Sequence, residues 1–155
     1  MTAGIVFGNR ILDIVVIAWF AAQGYKALTT LIKEKQFNLR KFTESGGMPS
    51  SHTSSVMALV ASIGMQEGMA STQFAMSLVF AIVVMYDAAG VRRAAGKQAG
   101  VLNYLIDILG KKDKTIKIEE ELKELIGHTP FQVVVGAILG ITVAYIMVEV
   151  IGYLR

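Results

Sequence analysis

Residues 127–154 read GHTPFQVVVGAILGITVAYIMVEVIGYL. From Phe131 to Leu154 the stretch is apolar, with Glu149 as a lone charge near its far end. That length meets the roughly 20 residues a membrane-spanning helix needs. Its opening is of another kind. Gly127-His128-Thr129-Pro130 is polar, with a capping residue type at Thr129 and a proline suited to a first helical turn. A similar opening, Gly46-Gly47-Met48-Pro49-Ser50-Ser51-His52-Thr53, precedes a second apolar segment. Each of the two histidines therefore stands at the mouth of an apolar helix. An ionisable group there needs water or a partner, and two of them at one membrane face point to a single site.

The rest of the chain agrees with a membrane setting. Hydrophobic residues make up 54% of the 155 and charged ones 17%, with a mean hydropathy of +0.54. This composition fits a small integral membrane protein better than a soluble domain. There is no cysteine, so disulfides and thiolate chemistry drop out. Three more apolar stretches precede the one quoted: Ile11 to Ile32, Ser54 to Met69 and Phe74 to Ala89. The first carries Asp13, Gln23 and Lys26 and so is not wholly lipid-facing. It is read as a span rather than a cleaved leader, because no basic residue precedes Arg10 and cleavage near Ala21-Ala22 would remove the helix leading to Lys33.

The expected fold class is all-α integral membrane, a single membrane domain over 1–155 with four transmembrane helices. Four spans put the 33–53 loop, the 90–130 connection and both histidines on one side, and both termini on the other. Of the 15 Lys and Arg, all but Arg10 and Arg155 fall between Lys26 and Lys123. The Gln66–Thr72 turn has none. The positive-inside rule then puts the histidine side in the cytoplasm, both termini outside, and the protein in the cell membrane. Between the third and fourth spans, Val101, Leu102, Leu105, Ile106 and Leu109 recur at helical spacing, with Gly110 expected to end that helix. A second helix follows over about 118–126. Together they predict a cytoplasmic amphipathic hairpin, about 98–127, on the membrane surface or over the site. A plain charged connector is the alternative. Gly136 and Gly140 would let helices approach closely.

Several cations gather on the histidine side: Lys33 and Arg40 after the first span, Arg92 and Arg93 after the third. Asp87 lies just before the arginine pair. A helix start offers free N–H groups and a positive dipole end, so Ser50, Ser51 and the backbone near His52 suit an anion. Arginine can hold phosphate oxygens in pairs. The same residues also suit plain caps and lipid-headgroup contacts. The two distant histidines lack a metal-ligand spacing, and no phosphate-binding glycine loop or nucleophile elbow occurs.

These residues resemble the type 2 phosphatidic acid phosphatase superfamily, which includes the vanadium haloperoxidases. Lys33 and Arg40 with six residues between them, Pro49-Ser50-Ser51-His52, Arg92-Arg93 and His128 are similar to its three motifs. More specifically, G-G-M-P-S-S-H, Y-D-A-A-G-V-R-R-x-x-G-x-Q-A and G-H-T-P resemble its divergent branch of small membrane proteins, from Lys33 to Gly140. The resemblance implies His128 as nucleophile, His52 as general acid, and Lys33, Arg40, Ser50, Ser51 and Arg92 or Arg93 as phosphate ligands. Lys41 follows Arg40 where the parent motif has proline, Ser51 replaces a glycine, and Gln132 stands where an aspartate orients the nucleophile. Asp87, or a glutamate of the hairpin, is the candidate to replace that aspartate. The implied activity is metal-independent hydrolysis of a lipid phosphate or diphosphate through a phosphohistidine, with no cofactor. The expected partners are the lipid substrate and membrane lipids, with no nucleic acid, and a homo-oligomer is compatible. Non-catalytic binding or carriage of phosphate or phospholipid headgroups is the alternative, and a structural membrane protein a third.

Overall fold

The computed structural model describes residues 4–34, 47–112 and 127–154. Helix α1 (Arg10–Glu34) starts under the Asn9 side chain, whose Oδ1 accepts the N–H groups of Ile11 and Leu12 at 2.9 and 3.2 Å. Helix α2 (Ser51–Glu67) starts at the Ser50 cap and stops at Gly68, whose φ of 84° favours glycine. Ser71 caps α3 (Thr72–Tyr86) by accepting the Phe74 N–H at 3.2 Å. Asp87–Val91 then winds as a single wide π turn and runs directly into α4 (Arg92–Lys112). Helix α5 (Pro130–Tyr145) ends in a second wide turn, Ile146–Val150. No strand occurs among the described residues.

Three of these helical stretches are long and apolar enough to cross a membrane: Arg10–Ile32, Thr72–Leu109 and Pro130–Val150. Helix α2, the second expected span, has 17 residues. It reaches about 25 Å, short of a hydrocarbon core of about 30 Å. Yet α2 is the central helix, in contact with α1, α3 and α5.

The packing is inverted relative to a soluble protein. Buried positions are mostly small or polar: Ala18, Ala22, Ser54, Ala58, Ser62, Ala81, Gly140 and Ala144. Large apolar residues such as Phe80, Ile82, Val83, Phe131 and Ile138 face outward. So much exposed apolar surface would be untenable in water and is ordinary in lipid. The expected close approach at the glycines is present. A Cβ on Gly136 would stand 2.5 Å from the Ser50 carbonyl oxygen, and one on Gly140 would run into the Ser54 carbonyl. Helices α2 and α5 thus meet backbone to backbone.

Two expected features differ. The first arm of the connection is not a separate helix but the continuation of α3, and Gly110 does not end it, since α4 reaches Lys112. A glycine inside a helix costs only about 1 kcal/mol, which neighbouring leucines and isoleucines outweigh. The second arm, about 118–126, lies outside the described residues.

Candidate functional site

Four segment ends meet at one end of the bundle: the later part of α1, the start of α2, the wide turn after α3, and the start of α5. Sequence dictates the two starts. Ser50 and Thr129 are both extended-backbone caps with side chains turned onto the helix they begin. Thr129 and Gln132 form a reciprocal capping box: Thr129 N–H donates to Gln132 Oε1 at 2.9 Å, and Gln132 N–H donates to Thr129 Oγ1 at 3.3 Å. The two starts are also tied to each other, because Ser50 N–H donates to the Gln132 carbonyl at 3.2 Å.

His128 immediately precedes the Thr129 cap and is only 6% exposed. Its backbone N–H donates to the carbonyl of Ala88, in the wide turn, at 3.0 Å. Its Nδ1 lies 3.4 Å from Gln132 Oε1. The Thr129 N–H on that same oxygen means the amide presents oxygen, not nitrogen, to the ring. Nδ1 donates to that oxygen in the tautomer that carries the ring proton there. Burial pushes the imidazole below its ordinary value of 6.5, opposed by the Gln132 contact, and the nearby charges of Lys26 and His52 push it further down. A hydrogen bond with the Gly47 backbone acts in the raising direction. The balance is a neutral imidazole at pH 7.

The other residues singled out from the sequence divide. His52 lies in the first turn of α2, exposed, near enough to His128 to influence it electrostatically. Ser50 is fully buried, and its hydroxyl oxygen accepts from Thr53 N–H at 3.4 Å and Thr53 Oγ1 at 3.0 Å, so it acts as a cap. Ser51 is buried beside it and faces α1. Asp87, half-buried, opens the wide turn next to Ala88. Arg93 is exposed on α4. Lys33 and Arg92 are placed only as helix positions, in α1 and α4. Arg40 lies outside the described residues. Among the described residues no three His, Asp or Glu side chains converge as a metal site would require.

One cation that the sequence reading leaves out enters the site. Lys26 is 8% exposed, and its Nζ donates to Ser51 Oγ at 3.4 Å. The signal for it is a lysine inside an otherwise apolar segment, which is costly in a membrane and by default functional.

A neutral, oriented imidazole, a second imidazole and a buried ammonium at a helix start can together bind and attack an electrophilic anion. The comparisons agree with this setting. The family model described as "Divergent PAP2 family" matches residues 7–143. The chain is 38% identical over 135 residues to the uncharacterized membrane protein YuiD of Bacillus subtilis (strain 168), covering 81% of this chain and 85% of that one. No solved structure matches. Spanning nearly the whole bundle, with all four segment ends of the site inside it, the match leaves one conclusion: the chain belongs to the divergent PAP2 family.

Proposed function

We propose that the protein hydrolyses the phosphate or diphosphate of a membrane lipid without a metal, through a phosphohistidine on His128. The observation that carries this reading is the state of His128: buried, neutral, and held through Nδ1 by an amide oxygen whose orientation is fixed by the Thr129 cap. Nε2 then keeps its lone pair for phosphorus. Attack forms the P–N bond as the bond from phosphorus to the lipid oxygen breaks, and His52 gives that oxygen a proton. Water, losing a proton to His52, then cleaves the P–N bond and releases phosphate. Lys33, Arg40, Ser51 and one of Arg92 and Arg93 stabilise the phosphoryl oxygens, with Ser50 holding the start of α2 in place. Asp87 steadies the turn that carries the Ala88 carbonyl.

In this reading α2 forms a fourth, short crossing, sheltered from lipid by its neighbours. The site faces the cytoplasm, where most of the basic residues lie, and both termini lie outside.

Gln132 supports a second reading, in which the site binds phosphate groups without turnover. A neutral amide orients the ring but does not stabilise an imidazolium as a carboxylate would. One experiment separates the two: phosphate release from a panel of lipid phosphates by purified protein in EDTA, comparing wild type with His128→Ala and His52→Ala. Release that both substitutions abolish is the expected result. Binding of the same lipids by folded protein with no release from any would leave only the second reading.

A further inference from the structure

The continuous stretch of α3 and α4 carries an apolar stripe on the face turned away from the bundle. In α3 the stripe is Met76, Val79, Val83 and Tyr86, all exposed. It lies opposite Ala81, which packs against Val56 and Val60 of α2. From the wide turn onward it is Val91, Ala94, Gln98, Val101, Leu105 and Ile108, again all exposed. Within each half the spacing alternates between three and four residues, the repeat of a coiled-coil seam. Between Tyr86 and Val91 it is five, one residue too many for that repeat. A π turn takes about one residue more than an α turn, and the wide turn Asp87–Val91 lies at that junction. It absorbs the extra residue, so the two halves fall on one face.

Inside lipid such a stripe needs no partner. About 20 residues cross a hydrocarbon core, a length that from Thr72 ends near Arg92 and Arg93. Val101, Leu105 and Ile108 come after that point, interleaved with Tyr104 and Asp107. Apolar side chains exposed there gain by leaving water. A second copy of the chain offers what they need. Two copies inserted in one membrane share an orientation, so their rods run parallel and their stripes meet at equal heights across a twofold axis. Gln98 favours this occupant over a lipid surface. It lies within the stripe, where hydrocarbon would strand its amide. At a seam position, a lone polar residue instead meets its own copy and fixes the register.

We infer that the protein self-associates as a parallel dimer, with the α3–α4 rods of two copies paired along this stripe. The inference goes beyond the proposed phosphatase function and does not rest on it. The chain has no cysteine, so single cysteines report the contact directly. Full-length protein is oxidised in native membranes and resolved without reductant. Val83→Cys, Leu105→Cys and Ile108→Cys should each give a covalent dimer, and Asp107→Cys, off the stripe, should not. Purified wild type in detergent should have the mass of two chains by light scattering. Leu105→Glu combined with Ile108→Glu should weaken association at least about tenfold, because the seam would then bury carboxylates. Both side chains are exposed in the single chain, so the helix content read by circular dichroism should not change. Dimer bands at Asp107 as strong as those at Leu105, or a single-chain mass with no band at any position, overturn the inference. A single chain in which Leu105→Cys crosslinks to Leu122→Cys would put residues 113–126 on the stripe. A single chain in which a spin label at Leu105 is shielded from water only when lipid is present would put a bilayer there. Either result overturns the dimer.

Discussion

Burial of the His128 ring gives the protein a pH signature. Its folded value lies below the ordinary 6.5, so the unfolded chain takes up a proton there more readily than the folded one. The stability associated with a neutral His128 is present above about pH 6.5 and declines as pH falls through that value towards the lower folded one. His128→Asn should flatten that slope, read as melting temperature between pH 7.5 and 5.5 on both proteins. Gln132 has two roles at once, so Gln132→Leu should cost roughly 1 kcal/mol through the lost cap and free the ring's tautomer as well. Denaturation measures the first, and ring-nitrogen NMR of His128 the second. Both histidines are legible in the sequence because an ionisable group at the mouth of an apolar run is unusual. The role of Gln132 is not: set beside a motif it is a missing aspartate, and only the Thr129 N–H on its oxygen shows it as an oriented acceptor. Lys26 is hidden for a related reason, since its neighbours in the sequence are apolar and its partner Ser51 belongs to another helix.

At the scale of elements, the seam between α2 and α5 is set by two glycines. Gly136→Ala would drive a methyl against the Ser50 carbonyl, at the cap that places His52. It should destabilise by about 1–3 kcal/mol, as overpacking of a tight interface does. Gly24→Ala is the control: nothing lies within 4 Å of a Cβ there, so it should be neutral or gain up to about 1 kcal/mol from helix propensity. Reversible unfolding in mixed micelles compares the two. The helices and the small-residue contact between them are legible from apolar length and glycine spacing. What composition does not reveal is that α2, the least apolar of the expected spans, occupies the centre. Several of its hydroxyls find partners there, as when Ser54 Oγ donates to the Ala18 carbonyl at 3.1 Å and Ser55 Oγ to that of Ser51 at 3.0 Å, while Ser62 Oγ is buried without one. The continuity of α3 and α4 is equally hidden, because the charged residues from Arg92 onward read as the start of a new element.

As a whole, the molecule has two differently built ends. Opposite the histidines, buried Asp13 accepts hydrogen bonds from Ile5 N–H at 2.8 Å, Val6 N–H at 2.7 Å and the Tyr153 hydroxyl, while Arg10 donates to the Tyr153 carbonyl at 2.8 Å. This fastens the start of α1 and the segment before it to Tyr153. Tyr153→Phe removes the hydroxyl that donates to Asp13 and should lower the melting temperature, with no effect on anion binding at the far end. Sidedness is tested with a single cysteine in a chain that has none: Lys112→Cys should react only with reagents that reach the cytoplasm, and labelling from outside intact cells would reverse the orientation. The continuous helical stretch from Thr72 to Leu109 has 38 residues and a length near 57 Å, well above the roughly 30 Å of a hydrocarbon core. The wide turn at Asp87–Val91 sits along this rod and lends a carbonyl to the His128 amide. Because one wide turn both joins α3 to α4 and accepts the His128 N–H, any change of bend at that turn would carry the His128 backbone with it.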